Sequence, residues 1–316
     1  MYGLGFSRKS SRLAAATSNI SCENEILVLD CAGDNWHEHF RIPITYPVTK
    51  LQWSPVMGNG VSDLFATTSS CLNIYSSDHG NLRASFGLNV PLSSMDWNTL
   101  DPTMIVTCSI NTTCTVWDLG AEKAKTQLIA HDKEVLDVSF CSASKDIFAS
   151  CGADGSIRMF DMRSLTIIYE VPNEVPLLKV DWNSLDSNYI LTVPEVNNEI
   201  LVIDVRYPSV PVANISYHTD SINDAHWCLN SGRILSCGED HQLLICDLVA
   251  EQKYQEFAKS QKIKQNFTSN LNSTEQNPIS RIQCDSPVSC ASWSHTELDT
   301  VAYISNDRIY KTTLDI

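Results

Sequence analysis

Apolar and polar residues alternate in short runs along nearly the whole chain, and the runs recur in sets. Each set opens with an apolar residue two positions before an aromatic anchor. The pairs are Leu4 with Phe6, Leu51 with Trp53, Met95 with Trp97, Val138 with Phe140, Val180 with Trp182, Ala225 with Trp227 and Ala291 with Trp293. A spacing of two puts both side chains on one face of a strand. The intervals between anchors are 47, 44, 43, 42, 45 and 66 residues, so the chain repeats itself.

A second apolar run ending in small or hydroxyl residues follows each anchor, as in MIVTCS, IFASCG and ILSCG. A turn rich in Asp, Asn and Gly comes next, such as Ala153-Asp154-Gly155-Ser156. A third apolar strand then ends near an acidic residue, as in CTVWD, IRMFD and LLICD. A less regular fourth segment, such as TQLIAH, leads to the next anchor. Four strands in each stretch of about 40 to 45 residues predict a blade of a β-propeller. The chain is therefore expected to be all-β, a single propeller of seven blades over residues 1–316.

Two irregularities stand out. A polar stretch at 251–278, rich in Gln, Asn, Ser and Lys, accounts for the longest interval and reads as a flexible insertion within blade six. At the ends, the chain starts almost directly on the first inner strand and stops just after a third strand. Either blade seven has three strands and an open edge, or the start lies upstream of Met1; the expectation is a shortened N-terminus.

Composition narrows the function. A formal charge of −15 and a pI near 4.8 argue against nucleic-acid binding, which needs clustered Lys and Arg. Twelve cysteines are scattered without any Cys-x-x-Cys pair. No apolar run follows Arg8, Lys9 and Arg12, and no segment reaches the roughly 18 apolar residues of a membrane span. Reduced, partly buried thiols in a cytoplasmic and nuclear protein are the simplest reading.

Candidate chemistry is sparse. Cys108, Cys114 and His131 have Cys-x5-Cys-x16-His spacing, unlike the short knuckles of structural zinc sites. His37 and His39 share one face of an expected outer strand, without a third ligand near them in sequence. A propeller hydrolase or metalloprotein built on these groups is the least favoured reading. No phosphate loop, nucleophile elbow or dinucleotide fingerprint occurs, so no enzyme, metal or cofactor is expected.

The repeats resemble the WD-repeat family. Only blade three keeps a literal Trp117-Asp118. In that family a histidine, a Ser or Thr, a turn Asp and the third-strand Trp form a hydrogen-bonded tetrad. The resemblance implies tetrad-like roles for His131, Ser150 and Asp154, for His218, Ser236 and Asp240, and for Trp117, with no blade holding a complete set. Phe160 and Cys246 stand where the Trp would be.

Third strands four and five end in Asp161-Met-Arg163 and Asp204-Val-Arg206. Such a pair can satisfy a turn, and it can present an arginine to a partner carboxylate. The paired ending resembles the motif of substrate receptors for the cullin-4 ubiquitin ligase, with Phe160 and Ile203 in place of its Trp. The peptides TCSINTTCTVWDLG, FASCGADGSIRMFDMRSL and GEDHQLLICDL look like the anthocyanin-regulator and transparent-testa-glabra WD-repeat family. That likeness implies a non-catalytic, monomeric scaffold. Its partners would be kinases of the dual-specificity tyrosine-regulated class, transcription regulators or the cullin-4 ligase adaptor.

Overall fold

Each aromatic anchor lies in a row that crosses its sheet. Phe140 faces Phe148, which faces Phe160; Trp97 faces Ile105, which faces Trp117; Trp53 faces Phe65, which faces Tyr75. Rings stack along these rows, with centroids 5.2 Å apart for Phe148 and Phe160 and 5.4 Å for Phe65 and Tyr75. Burying one such side chain is worth about 1.5–3 kcal/mol, so a few rows outweigh any single polar contact in the ring.

The computed structural model describes the chain except residues 1–2, 18–22, 33–34, 57–62, 89, 165, 173–174, 197, 229–230, 249–277, 298 and 315–316. For residues 32 and 166–172 it describes the backbone. The described residues form 27 strands in seven antiparallel sheets. The first sheet holds β1 (Gly3–Phe6), β2 (Arg12–Ala16), β3 (Asn24–Ala32) and β4 (Asn35–Ile44). The second holds β5 (Lys50–Trp53), β6 (Leu64–Thr68), β7 (Leu72–Ser76) and β8 (Leu82–Phe86). In the third are β9 (Leu92–Trp97), β10 (Met104–Ser109), β11 (Thr113–Asp118) and β12 (Lys123–Ile129). The fourth comprises β13 (Val135–Phe140), β14 (Ile147–Gly152), β15 (Ser156–Asp161) and β16 (Thr166–Pro172). The fifth comprises β17 (Leu177–Trp182), β18 (Tyr189–Pro194), β19 (Ile200–Asp204) and β20 (Ala213–Ile215). In the sixth, β21 (Ile222–Trp227), β22 (Arg233–Gly238) and β23 (Gln242–Asp247) are joined by β24 (Ser280–Gln283). The seventh has three strands among the described residues, β25 (Val288–Trp293), β26 (Thr300–Ser305) and β27 (Arg308–Thr313).

This is the seven-bladed propeller expected from the repeat, with a last blade that shows no fourth strand among the described residues. The 251–278 insertion lies outside the described residues apart from Pro278; the strands flanking it, β23 and β24, are neighbours in one sheet. The first strand of every sheet lines a central channel. Between sheets lie apolar seams. One joins Val106, Cys108, Cys114 and Val116 of blade three to Val135, Val138 and Phe148 of blade four.

Registers fix which turns share a face. Phe148 pairs with both Phe140 and Phe160, so first and third strands end at one height. Turns from first to second strand and from third to fourth therefore lie on one face of the ring. Turns from second to third strand lie on the other.

Candidate functional site

Alternation along the inner strands explains the channel wall. The anchor and the residue two before it face the core, so the residues one and three before the anchor face the channel. Three before the anchors stand Lys50, Ser94, Asp137, Lys179, Asp224 and Cys290, all on the channel wall. One-residue bulges at Val135/Asp137, Leu177/Lys179, Ile222/Asp224 and Val288/Cys290 re-aim this tier. Its charges pair: Lys50 Nζ lies 3.0 Å from Asp137, and Lys179 Nζ lies 2.8 Å from Asp224. Burial opposes charging of Asp137, yet Lys50 and Lys179 hold its carboxyl below the usual range.

One before the anchors stand Gln52, Asp96, Ser139, Asp181 and His226. Four of these accept the anchor N–H of the next blade. Gln52 takes that of Trp97 at 2.9 Å, Asp96 that of Phe140 at 2.6 Å, Ser139 that of Trp182 at 3.1 Å, and Asp181 that of Trp227 at 2.8 Å. The inner strands of blades two to five are thus each stapled to their successor. Burial pushes the Asp96 carboxyl up to about 6. His226 lies 3.0 Å from Asp224 and 3.6 Å from Asp181; these carboxylates outweigh burial and raise its pKa to about 9. Sequence reading assigned no channel residue, although the polar positions flanked by the apolar pair were visible in the repeat.

The tetrad-like residues come together in two blades. His131 Nδ1 lies 2.9 Å from Asp154 and its Nε2 lies 2.7 Å from Ser150 Oγ. His218 repeats this, 2.9 Å from Asp240 and 2.9 Å from Ser236 Oγ. A carboxylate at Nδ1 assigns the proton there, leaving Nε2 to accept from the hydroxyl. Each carboxylate also accepts a backbone N–H beside the histidine, from Asp132 and from Thr219, both at 3.0 Å. Burial lowers the pKa of both histidines. Trp117 is not with them. In blade three its indole N–H donates to Thr107 Oγ1 at 2.8 Å, and no histidine completes the set. The tetrad is therefore divided: one half in blade three, the other in blades four and six.

Glycine is required where these histidines pack. A Cβ on Gly152 would stand 2.9 Å from both Glu134 O and His131 Nδ1, and one on Gly238 would stand 2.5 Å from Ser221 O.

The cysteine–histidine grouping does not converge. Cys108 and Cys114 are cross-strand partners in β10 and β11, both fully buried, while His131 turns to Ser150 and Asp154. Burial pushes the Cys108 thiol up to about 12, which suits packing and suppresses the thiolate a metal or electrophile needs. His37 and His39 lie on outer strand β4, and His39 bonds Asp30 at 2.9 Å. Among the described residues no three His, Cys, Asp or Glu side chains gather as a metal site, and no helix is long and apolar enough to cross a membrane.

The Asp-x-Arg endings form two equivalent forks. Arg163 donates through Nε at 2.9 Å to Asp161, and Arg206 does so to Asp204 at the same distance, with Nη2 reaching the second oxygen of each. The backbone N–H of each arginine closes the turn onto the same carboxylate. Arg163 hydrogen bonds hold the Asp161 carboxyl near 2. The Arg163 and Arg206 side chains are 66% and 52% exposed while those of Asp161 and Asp204 are 16% and 7% exposed, so the carboxylate anchors and the arginine projects. Leu185, Tyr207 and Val210 are exposed beside Arg206 on the same face.

Comparison with known proteins agrees with this architecture. The WD domain, G-beta repeat family matches residues 122–161 and 209–247. The DDB1- and CUL4-associated factor 7 homolog of Dictyostelium discoideum is 38% identical over 273 residues, covering 80% of this chain and 83% of that protein. A WD repeat-containing protein of Schizosaccharomyces pombe is 36% identical over 76% of this chain and 64% of its own length. Another, from Saccharomyces cerevisiae, is 36% identical over 68% of this chain and 50% of its own length.

Proposed function

The chain belongs to the WD-repeat family of DDB1- and CUL4-associated factor 7, and from that premise we propose that it is a non-catalytic adaptor that binds proteins. The observation carrying this reading is the pair of forks at the ends of β15 and β19. Each holds an exposed guanidinium in one orientation, so little side-chain entropy is lost when a partner's carboxylate or carbonyl arrives. Exposed Tyr207 and Leu185 beside the second fork add the apolar area that interface centres use.

The forks favour association with the DDB1 and cullin-4 machinery named in the relative, as a ligase receptor. The rest of the ring, with a second face and a broad rim, serves kinases of the dual-specificity tyrosine-regulated class and transcription regulators. Holding two such proteins at once raises their effective concentration without chemistry by the ring. Residence in cytoplasm and nucleus accompanies this role. The acidic charge of −15 disfavours direct nucleic-acid contact.

The test is capture of purified DDB1 and of a kinase by wild type and by the Arg163→Ala, Arg206→Ala double variant. Loss of DDB1 affinity by about tenfold to a hundredfold, the cost of charge-assisted bonds, supports the ligase reading. Unchanged DDB1 capture overturns it. Kinase capture that survives the double change places that partner on another surface; failure to capture any of these proteins overturns the adaptor reading.

A further inference from the structure

The two tiers of channel residues described above satisfy one another, but the next tier does not. Two positions after the anchors of blades one and seven stand Arg8 and His295, both on the cavity wall at the face that carries the forks. The cavity holds about 370 Å³, ample for a phosphate- or carboxylate-sized group. Arg8 is half-buried and makes no ion pair or side-chain hydrogen bond among the described residues. Its nearest opposite charge, Asp96, acts on it only through space. The Asp96 oxygens are already engaged, one by Gln52 Nε2 at 2.8 Å and the other by Phe140 N at 2.6 Å.

Two further polar groups on the cavity wall lack partners among the described residues. Trp293 is only 6% exposed, lines the same cavity, and its indole N–H meets no acceptor among the described residues. The other tryptophan anchors differ. Trp53, Trp97, Trp182 and Trp227 each donate to a backbone carbonyl, at 2.7, 2.8, 2.7 and 3.1 Å. His295 Nδ1 is likewise buried without a partner; burial, and then the positive field of Arg8, lower its pKa to about 4, so the imidazole is neutral. A guanidinium, an indole N–H and an imidazole therefore line one cavity with no acceptor for them among the described residues. Leaving buried polar groups unanswered is costly, and the group that answers all three is an acceptor-only oxyanion.

We propose that Arg8, His295 and Trp293 form an oxyanion site at the mouth of the central channel, taking a phosphate or carboxylate group. Arg8 supplies the charge and a planar pair of donors suited to two oxygens of one group. His295 is the second donor in the tautomer that carries its proton on Nδ1, and Trp293 is the buried end of the site. In a chain of charge −15, the pairing of Asp137 and Asp224 with lysines and His226 lessens the repulsion of an anion there.

Isothermal titration of the purified chain with inorganic phosphate and, separately, with sodium acetate tests this at constant ionic strength. Wild type should give a saturable signal with at least one anion. Preference for phosphate points to phosphate esters or free phosphate as the source; preference for acetate points to acidic side chains or chain termini. Arg8→Met should weaken binding about tenfold or more, the usual effect of one charge-assisted bond, and Arg8→Lys should restore part of it. His295→Leu should weaken it independently of Arg8→Lys. Circular dichroism and melting of each variant establish that the ring is folded, and Arg8 lies outside every strand, so its removal leaves the sheets intact. No saturable signal in wild type with either anion overturns the proposal, as does equal affinity in a folded Arg8→Met protein.

Discussion

Ser150 Oγ donates to His131 Nε2 across 2.7 Å, tying the connection that enters blade four to the middle of that blade's sheet. The other ring nitrogen is held by Asp154, so one imidazole bridges a strand and a turn. Replacing His131 by Ala strands a buried hydroxyl and a largely buried carboxylate. The expected cost is about 2–4 kcal/mol in urea unfolding, and about 1–2 kcal/mol for Ser150→Ala, which leaves the hydrogen bond to Asp154 in place. His218→Ala should match His131→Ala, since its geometry is the same.

The histidines give the fold a stability maximum near neutrality. His131 and His218 have folded pKa values lowered by burial from 6.5, so the unfolded chain takes up protons first. Their contribution is complete above about 6.5 and is lost as pH falls below it. His226 acts in the opposite sense. Its folded value of about 9 exceeds 6.5, so its contribution is complete below 6.5 and lost as pH rises to about 9. Asp96, raised from 3.8 to about 6, favours the fold only while protonated and therefore blunts the acid limb. Melting temperature should fall on both sides of neutral pH, and His226→Gln should flatten the alkaline side. An unchanged alkaline limb in that variant would refute the assignment.

Blade four is one indole short of a complete tetrad. Phe160 pairs with Phe148, two residues from Ser150, as Trp117 pairs with Ile105, two residues from Thr107. Phe160→Trp should place an N–H against Ser150 and stabilise the fold by about 0.5–1.5 kcal/mol, less any strain from the larger ring. Trp117→Phe in blade three should cost a similar amount. A denaturation series on the two variants checks both signs.

Asp161→Ala retains the arginine of the first fork and removes its anchor. Partner affinity should drop less than for Arg163→Ala, through lost orientation rather than lost charge. Surface plasmon resonance on the two variants separates these effects. Stability should change little in either, because the arginine end of the pair is solvated.

Gly152→Ala drives a methyl group to 2.9 Å from His131 Nδ1 and from a backbone carbonyl that cannot retreat freely. It should cost about 1–3 kcal/mol, as overpacking does. If urea midpoints of Gly152→Ala and wild type coincide, the strand and histidine are more loosely packed than described.

Fold and chemistry were unequally legible. The blades could be read from Trp97, Phe140 and Trp182 because a buried aromatic at fixed spacing leaves a local trace. The His131 and His218 groups could be read because their partners lie about one blade-half away in sequence. The staple from Asp96 to Phe140 N could not be read as a bond, since a backbone N–H leaves no residue signature. Even so, the repeated Asp96-Trp97 and Asp181-Trp182 pairs carried its position. Arg8 and His295 were opaque for a different reason: they neighbour one another only because the ring brings the last blade round to the first.

That meeting of last and first blades has a mechanical consequence. Every other neighbouring pair of blades is joined by the chain itself, running from one sheet into the next. Between blades seven and one the described residues offer no covalent link and no shared sheet. Phe6, Leu13, Ala15, Ala302 and Ile304 hold that joint through side-chain packing, with Lys311 reaching Cys31 at 3.1 Å. Parting it breaks no sheet hydrogen bond among the described residues. Among the described residues that joint is a clasp of side chains rather than a weld of backbone.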